Sequence, residues 1–123
     1  MKHKVKGRKL SRVRKQRNAL LKTLLGSLVA REKIITTEAR AKEIKPAIDK
    51  IMTAVLKFKN ETGEKEKIAM IRRLRKILPV KAAEKISGAF SDKFKERKGS
   101  YVRIIKLERR KGDGAKMAII EFI

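Results

Sequence analysis

The sequence contains no cysteine, no tryptophan and a single histidine, and it sets only 13 Asp and Glu against 36 Lys and Arg. Without thiols there is neither a disulfide framework nor a thiolate metal site, which fits a reducing cytoplasm. His3, the lone imidazole, stands in the basic opening segment, and the sequence shows no Ser/His/Asp set, no HExxH zinc motif and no phosphate-cradling glycine loop. The acids are scattered, and Glu38 with Lys42 or Glu61 with Lys65 fit surface pairs one helical turn apart. The chain is therefore expected not to be an enzyme and to carry no cofactor, no metal and no small-molecule substrate.

Aromatic residues make up 4% of the chain, too few for a platform that reads single strands by stacking. The stretch KGSYVRI (98 to 104) is similar to part of an RNA-recognition motif, yet it offers only Tyr101 where that module needs paired aromatics. Recognition of structured RNA through backbone and shape suits this composition better.

Long apolar runs are absent as well. The segment ALLKTLLGSLVA (19 to 30) follows a basic region as a signal-peptide core would, but Lys22 and Thr23 interrupt it. A mitochondrial presequence is also Arg-rich, though usually with more Ser and fewer Lys. Nothing approaches the roughly 18 apolar residues of a membrane span, so no membrane partner is expected.

What is present is positive charge, +23 in all. Residues 1 to 31 hold eleven Lys and Arg and no acid, while the other 92 residues net +12. A compact domain with that charge repels itself, and each phosphate neutralised by Lys or Arg releases a condensed counterion. A nucleic acid is the expected partner: a structured RNA, or, as the alternative, DNA bound by a small nucleoid-type protein.

A hydrophobic fraction of 41% over 123 residues is enough for one domain. From Ser11, a reasonable N-cap, to about Arg31, the positions Val13, Leu20, Leu21, Leu24, Leu25, Leu28 and Val29 recur at helical spacing, leaving Arg12, Arg14, Lys15 and Lys22 on other faces. Gly26 inside that helix hints at close packing. Ile34 to Thr37 reads as a brief strand, and Thr36 or Thr37 then caps a helix with core positions Ala41, Ile44, Ile48, Ile51, Met52 and Val55. Pro46 either kinks or breaks it. A third helix carries Ile68, Ile71, Leu74 and Leu78 inward and Arg72, Arg73, Arg75 and Lys76 outward. A fourth runs from about Val80 to Lys95 with Ala83, Ile86, Phe90 and Phe94 on one face. Tyr101 to Glu108 and Lys116 to Ile123 form a hairpin closed by Arg109 to Ala115.

The expected architecture is a two-layer α+β domain in the order α-β-α-α-α-β-β, a small mixed three-stranded sheet covered by helices. Residues 1 to 10 are expected to be an extended basic N-terminal arm and 11 to 123 a single globular domain. The arm has no core face, so it should add little to stability.

The opening Met1-Lys2-His3, Gly7 to Arg12 and Arg17 to Leu21 resemble the N-terminal signature of bacterial large-subunit ribosomal protein seventeen. Ile35-Thr36-Thr37 with Ala41-Lys42-Glu43, Gly99 to Ile104, and Arg110 to Ala118 resemble its later blocks in the same order. Gln16, Ser100 and Lys116 depart from the family's usual residues, and 58 to 95 matches weakly. The resemblance implies a cytoplasmic structural component of the large ribosomal subunit in translation. It would bind the large ribosomal RNA near the exit of the peptide tunnel, beside proteins such as protein thirty-two. The expected RNA-binding residues are Lys2, His3, Lys4, Lys6, Arg8, Lys9, Arg12, Arg14, Lys15, Arg17 and Lys22, with Tyr101, Arg103, Arg109, Arg110 and Lys111 from the hairpin.

Overall fold

The computed structural model describes residues 7, 8, 10–60 and 63–123, and the order of elements is the expected one. Helix α1 (Arg14–Arg31) leads into strand β1 (Lys33–Thr37), helices α2 (Glu38–Asn60), α3 (Glu64–Ile77) and α4 (Val80–Ser87), and the hairpin of β2 (Val102–Lys106) and β3 (Met117–Phe122). Ser11 does not cap α1. It sits at φ 54° beside Leu10 at φ 53°, outside the extended conformation a cap needs, and Val13 takes the cap position without a side-chain bond. Thr37 does cap α2, its Oγ1 accepting the Arg40 N–H at 3.3 Å. The helix runs through Pro46 without a break.

The sheet has the order β1-β3-β2 and both neighbouring pairs are antiparallel, so it is not mixed. β1 and β2 do point the same way, as strands joined by a helical crossover should. The hairpin return strand β3 inserts between them and turns every adjacent pair antiparallel. α2 packs across all three strands, and α1, α3 and α4 pack about it, giving the expected two layers.

The α2 stripe Ala41, Ile44, Ile48, Ile51, Met52 and Val55 is buried in full, against Leu25, Leu28 and Val29 of α1 and Ala118 and Ile120 of β3. Gly26 marks a close approach, as its spacing hinted: a Cβ there would lie 2.5 Å from Pro79 Cγ. Two details of the other helices differ from expectation. α3 buries Met70 with Leu74 and Leu78 and leaves Ile68 51% exposed, because two stripes offset by two residues share Leu74 and only packing selects between them. The predicted fourth helix is split: Gly88 is extended (φ −93°, ψ −151°), and a 3-10 turn, Ala89–Phe94, follows. Lys59 stabilises the break by donating to the Gly88 carbonyl and to Asp92 Oδ1. Phe90 and Phe94 remain buried.

Candidate nucleic-acid interface

Among the cations of the first seventeen residues, Lys2, His3, Lys4, Lys6 and Lys9 lie outside the described residues. Those next to them are organised by one acid of α2. Glu43 takes Arg17 Nη2 at 2.5 Å on one oxygen and Arg8 Nη1 at 3.4 Å on the other, while Arg17 Nε donates to the Arg8 carbonyl. Gly7 lies over this triad at φ +88°, and a Cβ would come within 2.7 Å of the Arg17 guanidinium and 2.8 Å of Glu43 Oε1. Only glycine suits both the dihedral and the space. Arg17 is thereby half-buried and largely committed within the protein.

Arg12 turns its guanidinium onto the Leu10 carbonyl at 2.6 Å, closing the reversal ahead of α1. Arg14 and Lys15, one turn further on, are exposed. Lys22 is half-buried at the rim of a groove shared with the end of α3. The helix thus orients its cations outward because Leu25, Leu28 and Val29 fix its opposite face in the core.

The hairpin loop is tighter than a basic run suggests. Arg110 grips Asp113 with two hydrogen bonds, 3.0 and 2.6 Å, and Asp113 Oδ1 also accepts the Ala115 N–H at 3.1 Å. The bond from Arg110 holds the Asp113 carboxyl well below the usual carboxylate range, and the same contact raises Arg110. Arg109 reaches the Gly114 carbonyl at 3.4 Å, and Lys111 is exposed at the tip.

Tyr101 is not available for RNA. It is 2% exposed, its ring meets Phe94 edge-on at 6.1 Å, its hydroxyl donates to the Arg97 carbonyl at 3.2 Å, and its N–H donates to Asp49 Oδ1. The residue expected among the RNA contacts is a core residue that seats the hairpin on α2. It joins a cluster with Phe90, Phe94 and Phe122, four of the five aromatics in the chain.

Arg103 lies on the outer face of the sheet, 2.7 Å from Glu121, which Lys33 approaches at 3.9 Å from the other side. Next to this charged row the register aligns Ile35, Ile119 and Ile105 across the three strands. Ile35 is 64% and Ile105 42% exposed. Strand alternation sends one residue of each Ile-Ile pair inward and its neighbour out.

Sequence reasoning missed the acids that decide which cations are free, Glu43 and Asp113, because they are distant in sequence or hidden inside a basic loop. A groove of about 790 Å³ beside α2 is lined by Arg8 with Lys42, expected only as the partner of Glu38, and Lys50, which the sequence reading did not single out. Lys42 donates to Glu38 at 2.7 Å, the main reason that carboxyl is held below its ordinary value. Helical spacing from Lys42 through Pro46 to Lys50 was the available signal. Among the described residues no cluster of three or more His, Cys, Asp or Glu could hold a metal, and no helix is long and apolar enough to cross a membrane.

The family model described as Ribosomal protein L17 matches residues 20–123. The chain is similar to the large ribosomal subunit protein bL17 of Pelagibacter ubique (strain HTCC1062), 41% identical over 123 residues, which are 100% of this chain and 80% of that one. Its similarity to the bL17 protein of Shouchella clausii (strain KSM-K16) is 40% over 119 residues, 94% of this chain and 97% of the relative. For that of Anaeromyxobacter sp. (strain K) it is 37% over 123 residues, 100% and 73%.

Proposed function

The chain belongs to the Ribosomal protein L17 family, and from that premise we propose that it is a non-catalytic structural constituent of the large ribosomal subunit, held there by large-subunit ribosomal RNA and serving translation in the cytoplasm. The observation that supports the RNA reading is the disposition of charge: cations of α1 and of the hairpin tip point outward from an apolar core, on a chain of net charge +23. Phosphates in series are the ligand that relieves such a surface.

In this reading the basic segment ahead of α1, with Lys2, His3, Lys4, Lys6 and Lys9, threads between RNA elements. Glu43 sets the direction in which it leaves the domain. Arg14, Lys15 and Lys22 take phosphates along α1, and Arg109 and Lys111 take them at the tip, with Arg110 shaping the loop. Arg8, Arg12, Arg17 and Arg103, already bonded within the protein, position the backbone around them. Neighbouring large-subunit proteins, protein thirty-two among them, complete the surroundings.

The test is sedimentation of a salt-resolved lysate. The protein should travel with large subunits through moderate salt, and recovery in the DNA-bound fraction would overturn the reading. For about eight phosphates contacted, binding should weaken with a log-log salt slope of about 6 to 7. A flat response would remove the electrostatic account.

A further inference from the structure

Between α1 and the end of α3 lies a groove of about 400 Å³, which meets the one beside Arg17 and Glu43 at Leu21 and Ala47. Its floor is apolar, made by Leu21, Leu25 and Ala47, and its rims carry Lys22 from α1 and Lys76 with Ile77 from the end of α3. Helical spacing adds further cations to both rims. Lys15 stands two turns before Lys22, while Arg72 and Arg73 stand one turn before Lys76, and all three are exposed.

None of these five cations has an ion pair with a carboxylate among the described residues, in contrast to Arg8, Arg17, Arg103 and Arg110. Two facing rows of unneutralised charge repel across the groove, and among the described residues no acid lines it. The rows are nevertheless held in place, since α3 is pinned by buried Met70, Leu74 and Leu78 and α1 by Leu25, Leu28 and Val29.

We propose that this groove is a second RNA seat, in which one strand of the ribosomal RNA backbone runs between α1 and α3 with phosphates on Lys22 and Lys76 and a ribose edge over the apolar floor. The proposal rests on the RNA-binding reading above and extends it to Arg72, Arg73 and Lys76. Several unpaired cations along both rims call for several charges, and a strand presents phosphates in series. No aromatic side chain borders the groove, so the contact is with backbone and carries no base preference.

Binding of the full chain to large-subunit ribosomal RNA, measured across a salt series, tests it with three variants. Arg72→Gln/Lys76→Gln should lower the log-log slope by about 1.4 to 1.8, two phosphates' worth. Arg72→Lys/Lys76→Arg should keep the wild-type slope. Arg109→Gln/Lys111→Gln reports independently on the hairpin tip.

If the α3 variant keeps the full slope while the tip variant loses its share, the groove is not a seat and the RNA reading stands. If neither loses slope, neither the groove nor the tip is a seat and the proposal falls, whereas only a flat wild-type response overturns the RNA reading itself. A loss in Arg72→Gln/Lys76→Gln that the charge-retaining variant shares would belong to helix packing and would also overturn the proposal.

Discussion

Two basic runs of similar composition, Arg72 to Lys76 on α3 and Arg109 to Lys111 at the hairpin tip, are treated oppositely by the fold. On α3 the cations stand on a helix whose inner face, Met70, Leu74 and Leu78, belongs to the core, and no described carboxylate pairs with Arg72, Arg73, Arg75 or Lys76. At the tip the loop supplies its own acid, and Asp113 takes Arg110 by both oxygens. A helix displays charge and fixes its position, while a turn uses some of its charge to hold its shape. Counting cations in sequence therefore overstates the tip and understates α3.

The largest test of that contrast removes the support beneath α3. Leu74→Ala deletes a buried side chain and should destabilise the protein by about 2 to 5 kcal/mol in urea unfolding. Arg109→Ala at the exposed tip should leave the urea midpoint almost unmoved. Equal effects would show that the tip is as much a part of the cooperative fold as α3 is.

A smaller effect is expected where α1 meets the corner after α3. Gly26→Ala places a methyl 2.5 Å from Pro79 Cγ and 2.8 Å from Pro79 Cδ. Overpacking of this kind costs about 1 to 3 kcal/mol, against about 1 kcal/mol gained in helix propensity, so a net loss of up to about 2 kcal/mol is expected by thermal or urea unfolding. Because Pro79 follows Ile77 and Lys76, the same change should shift the rim of the α1–α3 groove and weaken RNA binding with it. A stabilised Gly26→Ala protein would mean that the corner yields freely, and that the α3 cations are less firmly placed than the contacts indicate.

Much of the fold is legible in sequence where one period dominates. The α2 stripe from Ala41 to Val55, the close approach at Gly26 and the hairpin all follow from spacing and residue type. What spacing leaves open is settled by tertiary contact: Met70 over Ile68 on α3, the break that Lys59 captures at Gly88, and the insertion of β3 between β1 and β2. The site is less legible than the fold. The burial of Tyr101 is not legible because a tyrosine beside basic residues looks the same whether its ring faces solvent or Phe94, nor the pairing of Arg17 because its acid, Glu43, is 26 residues away.

The smallest effect, and the sharpest for the contrast, concerns Asp113. Its carboxyl is held down chiefly by the hydrogen bond from Arg110, so its pKa is lower in the folded loop than in the unfolded chain. A group depressed in this way stabilises the loop above its ordinary value near pH 4 and loses that contribution as pH falls toward the folded value. Carboxyl-carbon NMR should show Asp113 titrating below that ordinary range, and Arg110→Gln should bring it back up. Asp113→Asn should barely move the unfolding midpoint at neutral pH, the pair being exposed, yet it should release Arg110 to solvent. The log-log salt slope for RNA should then rise by about 0.7 to 0.9, one phosphate's worth. An unchanged slope would mean that Arg110 already reaches phosphate over its partner, and that the tip and α3 differ in rigidity alone.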